Sequence, residues 1–273
     1  MKKTVSIRDN SFGHSPISCS PTIPFDGIDS PIEWDRTSPA TKDTIYTDEF
    51  VKTAPYGARI WLIEPNPSLR EWVWENQANF SEVWTCDRRD LEEIPHARLL
   101  PHAGCWIAPA DRKIWPKSKG VSTIASIKRG AGGYNLRHLA IRAFPQIDAY
   151  GTEYTQLPGV HQQDKIAALR DYCFHLVIEN CRRDYFFTEK LIDCFMTGTI
   201  PIYWGCPSIG DFFNTKGMIQ LPGPNPLEPL GQFLATTIWC DAYGETEKAI
   251  AYNFERAKKY VLTEDTIASH LIP

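Results

Sequence analysis

The stretch FHLVIENCRRDYFFTEKLIDCFMTGTIPIYWG, residues 174–205, constrains this chain more than any other. An apolar run, a polar turn, an amphipathic segment and a second apolar run predict strand, loop, helix and strand, the repeating unit of a parallel α/β sheet. The polar turn gathers Glu179, Asn180, Arg182, Arg183, Thr188, Glu189 and Lys190. In an open α/β sheet, the loop after a strand's carboxyl end and the start of the next helix form the usual anion site. A Glu-Lys pair in the first helical turn offers a ribose acceptor and a phosphate cation. That combination suits a nucleotide-sugar.

The same alternation runs through much of the chain. Strands are predicted at 4–7, 58–63 and 82–86, with a helix over 69–80 opened by Pro67 and Ser68. A second set follows: strand 121–127, a Gly-rich turn, helix 134–144, strand 146–150, helix 161–171, strand 173–178, helix 187–197 and strand 199–203. An amphipathic helix over 245–262 comes last. Residues 14–40 are Pro-rich and aperiodic, which predicts a long ordered loop. Residues 101–119, with three prolines and a basic end, read as a linker. Two α/β units joined there predict two Rossmann-like domains facing a cleft, divided as 1–117 and 118–273.

Composition excludes some functions. A net charge of -4 argues against a nucleic-acid surface, which would show clustered positive charge. No stretch reaches the roughly eighteen apolar residues that span a bilayer, and MKKTVSIRDNSFGHS has no run of signal-peptide length. None of the eight cysteines forms a Cys-x-x-Cys pair, so they read as reduced structural thiols in a cytoplasmic setting.

Departure of a nucleoside diphosphate needs positive charge at its phosphates. A metal held by Asp-x-Asp is one solution, and this sequence contains no Asp-x-Asp. Lys190, Arg137 and a helix N-terminus are a metal-free alternative. Proton removal from an attacking hydroxyl needs a carboxylate from the other side of the cleft. Glu64, at the end of RIWLIE and before Pro65, stands where an α/β sheet presents such groups.

IENCRRDYFFTEKLID and GTIPIYWGCPSI resemble the signature of the α1,3-fucosyltransferases, the family 10 glycosyltransferases. The resemblance implies the two-domain GT-B architecture, with an acceptor-side N-terminal domain and a nucleotide-sugar-binding C-terminal one. It implies an inverting, metal-independent transfer of L-fucose from GDP-β-L-fucose to a hydroxyl of a glycan acceptor, with an α1,3-type linkage and no cofactor. It assigns Lys190 to the diphosphate, Glu189 to ribose or sugar hydroxyls, and Asn180 to the family's Glu-Asn position. Arg137 matches an arginine that grips the β-phosphate, with Ser126 and Lys128 as lesser neighbours, and Glu64 matches the base. Tyr185 is placed either to stack over the base or ribose or to join the core. A GT-B enzyme using another donor, such as GDP-mannose, and an inactive nucleotide- or glycan-binding relative are the alternatives.

Overall fold

A computed structural model describes residues 2–9, 29–63, 66–101, 103–130, 132–155, 162–244 and 246–271. Glu64 and most of the Pro-rich segment 14–40 lie outside the described residues, or partly so for the latter.

Two all-parallel sheets organise the chain. The first comprises β1 (Lys3–Arg8), β2 (Ile32–Asp35), β3 (Ile45–Thr47), β4 (Ala58–Leu62), β5 (Phe80–Thr85) and β6 (Ala97–Leu99), in the order β2-β1-β3-β4-β5-β6. The second comprises β7 (Lys119–Ile124), β8 (Ile147–Tyr150), β9 (Tyr172–Ile178), β10 (Ile200–Trp204) and β11 (Ile219–Gln220), in the order β11-β10-β9-β7-β8. The helices are α1 (Pro67–Asn76), α2 (Arg88–Glu93), α3 (Gly133–Ala143), α4 (Glu189–Phe195), α5 (Leu227–Thr236), α6 (Trp239–Gly244), α7 (Glu247–Ala257) and α8 (Thr263–Leu271).

Parallel sheets are covered on both faces, so their central strands are apolar throughout. Every residue of β9 and β10 is buried, which explains the unbroken runs that the sequence shows there. Pro201 sits inside β10, pairing in register with His175. Each sheet has a reversal of strand order, between β1 and β3 in the first and between β7 and β9 in the second. Crevices at the carboxyl ends of such strands are where doubly wound sheets bind ligands.

Three expectations are corrected. The first sixty residues contain β2 and β3 besides β1, two strands too short for periodicity to reveal. The segment expected to be a linker is largely packed: Ala103, Cys105 and Ile107 are buried in the core beneath α4. Residues 162–168 form a 3-10 helix (Gln162–Ala168), not the longer helix expected there.

The chain also returns to its start. Ile267 and Ala268 of α8 are buried in the first sheet's core with Val5, Ile7, Ile32, Trp61 and Trp84. Trp34 Nε1 donates to Glu264 Oε1 at 2.9 Å, and Lys3 Nζ donates to the Leu271 carbonyl at 2.6 Å. Ile267→Ala should therefore destabilise the protein by about 2–5 kcal/mol in urea unfolding, as for a large-to-small change in a core. A loss below about 0.5 kcal/mol, typical of surface sites, would show that α8 does not seal this sheet.

Candidate active site

The site builds outward from Glu179, the residue after β9, whose side chain is wholly buried. An isolated buried carboxylate is costly, so it must be paired and hydrogen-bonded. Thr188 supplies this twice: its N–H donates to Glu179 Oε1 at 2.9 Å, and its hydroxyl lies 3.1 and 2.9 Å from Oε1 and Oε2. Thr188 is also the N-cap of α4, with extended backbone and its hydroxyl accepting from the Lys190 amide. The loop 180–187 is thereby tied at both ends.

Lys190 stands at the mouth of this arrangement, its side chain 26% exposed. Its Nζ lies 3.6 Å from Glu179 Oε2, 3.3 Å from Glu189 Oε1 and 3.1 Å from the Thr188 hydroxyl. The α4 helix has only seven residues, shorter than the segment 187–197 expected from sequence. Its dipole is correspondingly small, and the positive charge here comes mainly from side chains.

Arg137 approaches from α3 across the reversal between β7 and β9. It is buried, and Nε donates to the Ile178 carbonyl at 2.7 Å while Nη2 donates to Asn180 Oδ1 at 2.8 Å. Burial pulls its pKa below the usual arginine value, with Glu179 and Glu189 among the charges working against that. Arg137 and Asn180 therefore fix each other, and Arg142 is exposed on another face of α3.

The glycines at the start of α3 serve close packing. A Cβ on Gly133 would fall 1.6 Å from the Glu179 carbonyl oxygen, and one on Gly132 2.5 Å from that of Asn180. The Gly133 N–H donates to the Asn180 carbonyl at 3.0 Å. Their lack of side chains lets α3 start directly against the end of β9.

The remaining candidates divide. Ser126 and Lys128 lie on the exposed loop after β7, where the Ser126 hydroxyl accepts from the Lys128 amide at 3.4 Å. The Tyr134 ring, on the first turn of α3, lies 5.8 Å from Lys128 Nζ and 5.1 Å from the Arg137 guanidinium. Tyr185 has φ of 65° and donates its N–H toward Cys206 Sγ and Ser208 Oγ. Its ring packs edge-on against Phe212, 5.5 Å away, and lies 5.9 Å from the Arg88 guanidinium of the first lobe. Tyr185 is therefore turned to the core and the lobe contact. Glu64 lies outside the described residues; just before it, the Ile63 N–H donates to Asp48 Oδ1 at 2.9 Å, and Asn66 caps α1.

Sequence reasoning missed the contact between lobes. Arg183 Nε lies 3.1 Å from Asp87 Oδ2 at the end of β5. Asp87 is itself held by Arg70, which also donates to Asp90 Oδ2 at 2.6 Å and to the Thr85 hydroxyl at 3.0 Å. It also missed Lys165 and Asp193, buried behind Glu189.

Two doubly wound parallel lobes, with cations at the strand-order reversal of the second, define a glycosyltransferase fold of the GT-B type. Residues 117–235 match the family described as glycosyltransferase family 10 (fucosyltransferase), C-terminal part. An α-(1,3)-fucosyltransferase of Helicobacter pylori is 30% identical over 106 residues, 39% of this chain and 22% of that protein. The fold matches a crystal structure of an α1,3-fucosyltransferase with GDP (TM-score 0.56, 17% identity, 88% of this chain and 80% of that one). It also matches one with GDP-fucose (TM-score 0.55, 15% identity, 97% and 90%). The likeness to the α1,3-fucosyltransferases lies in the second lobe, where residues 117–235 match the family 10 region. The matched stretch spans about a fifth of the length of that Helicobacter relative.

Thr188→Val keeps the shape of the cap but removes the hydroxyl from a buried carboxylate. It should cost about 1–3 kcal/mol of stability by thermal or urea unfolding, and Thr188→Ser should restore most of it. Equal stability of the Val variant would mean that the loop is held by something else.

Proposed function

We propose that this protein is a glycosyltransferase that moves L-fucose from GDP-β-L-fucose to a hydroxyl of a glycan acceptor. The observation that carries the reading is the convergence of Arg137, Asn180, Glu189 and Lys190 on the carboxyl end of β9. The donor identity is taken from the proteins it resembles, one of which is an α1,3-fucosyltransferase of similar fold solved with GDP-fucose. The proposed division of labour follows the lobes, with acceptor handling in 1–117, to whose sheet α8 returns, and donor binding in the rest of 118–273. A cytoplasmic setting, where cysteines stay reduced, is part of the same proposal. Among the described residues, no helix is long and apolar enough to cross a membrane.

In the proposed mechanism, Lys190 takes the diphosphate, whose negative charge grows as the glycosidic bond breaks. Its ammonium is shared between Glu179 and Glu189, so an arriving phosphate competes with groups already in place. Arg137 holds Asn180 and the end of β9 in register while adding positive potential at the phosphates. Glu189 accepts from ribose or sugar hydroxyls. Glu64, by its place after β4, removes the proton from the acceptor hydroxyl as that oxygen attacks the anomeric carbon from the opposite face. The bond to GDP breaks as the new one forms, which inverts the configuration. Fixed cations supply the leaving-group charge in this reading, without a metal.

Lys190→Ala should weaken GDP binding by about 10–100-fold in titration calorimetry, the loss expected for a charge-assisted contact. Unchanged GDP affinity would remove the phosphate role. Glu64→Gln should leave GDP-fucose binding nearly intact and cut turnover by about 10²–10⁴-fold; near-normal turnover would place the base elsewhere. Transfer to an N-acetyllactosamine-type acceptor should proceed fully in excess EDTA, and a strict need for added Mn²⁺ or Mg²⁺ would overturn metal independence.

A further inference from the structure

Behind Glu189 lies a buried cation that the proposed chemistry does not use. Lys165 belongs to the 3-10 segment before β9, and its side chain is only 11% exposed. Its Nζ lies 3.1 Å from Asp193 Oδ2 and 3.6 Å from Glu189 Oε1. Glu189 and Asp193 are four residues apart on α4, so their carboxylates stack on one face, a repulsive pairing for like charges. Lys165 sits between them. Burial works against its charge, but Asp193 and Glu189 outweigh burial and hold its pKa above the usual lysine value. The nearby His175 ring adds no competing charge, since burial and the Lys165 ammonium push it down to about 3.

A third partner ties the cluster to the segment joining the lobes. The Trp106 N–H donates to Asp193 Oδ1 at 2.7 Å, and the Lys165 ammonium lies 4.1 Å from the Trp106 ring centre. Glu189 Oε1 is thus caught between two ammoniums, Lys190 at 3.3 Å on the open side and Lys165 at 3.6 Å on the buried side. A buried ion cluster is weak support for stability, because apolar residues of similar volume often serve as well. What it gives is a single orientation. Groups that hold a ligand must themselves be held by the shell behind them.

We propose that Lys165 is a positioning residue that fixes the Glu189 carboxylate for the donor and, through Asp193 and Trp106, sets it relative to the joint between the lobes. This rests on the reading of Glu189 as a donor-binding group. The test is a double-mutant cycle by titration calorimetry, using GDP-fucose and, separately, GDP.

Lys165→Met, which preserves length in a buried setting, should weaken GDP-fucose binding about tenfold, within the range of coupling between neighbouring charged groups. Lys165→Arg should recover part of that loss. In a Glu189→Gln background, Lys165→Met should cost almost nothing more. A merely structural lysine would give the same added loss in both backgrounds. Should Lys165→Met fail to fold, Asp193→Asn replaces it in the cycle: it keeps an acceptor for Trp106 and removes one anchor of Lys165. A smaller loss that vanishes in the Glu189→Gln background is the expected result. If Glu189→Gln leaves GDP-fucose affinity unchanged, the donor role of Glu189 fails and takes this inference with it. If Glu189→Gln weakens binding but the Lys165 and Asp193 changes have no effect, or add in full, the positioning role alone is overturned.

Discussion

The rest of this site depends on one buried carboxylate. Glu179 ends the central strand of the second sheet where no water can solvate it, so its charge has to be met by the protein. Thr188 and Lys190 meet it, and the loop between must form an arch of fixed span. The arch presents Asn180 to Arg137 on one side and Arg183 to the first lobe on the other. Two glycines let α3 press against the same strand end, where any side chain would strike a carbonyl. Local chemistry and chain topology therefore meet at a single residue.

Charge is balanced around this point. Glu179, Glu189 and Asp193 face Lys165, Lys190 and Arg137, three carboxylates against three cations. Balance of this kind keeps cations buried without large repulsion. In the proposed reading, an anion reaching Lys190 competes with its carboxylate neighbours.

Four of the second sheet's five strands were legible, β9 and β10 most plainly because they are buried on both faces, while β11, only two residues long, was not. The proximity of Asn180, Glu189 and Lys190 was legible because they fall within one short stretch of chain. Arg137 is remote in sequence and was found through a family likeness, while its hydrogen bond to Asn180 is a fact of the folded chain. β2 and β3 escaped notice because strands of four and three residues show no period. The joint looked like a linker because prolines dominate its composition, yet Cys105 and Ile107 were the residues that mattered for burial. Lys165 gave no signal at all, since a lone lysine in a polar stretch ordinarily faces water. Only its partners, from elements far apart in the chain, make it buried.

The return of α8 to the first sheet changes how the lobes are connected. The backbone passes between them once near Leu100–Ile107 and again between α7 and α8, where the Thr263 hydroxyl donates to the Ala103 carbonyl at 2.8 Å. Two bodies joined by one tether can swivel in any direction. Joined by two crossings that are hydrogen-bonded to each other, they have fewer directions open to them than a single tether would leave.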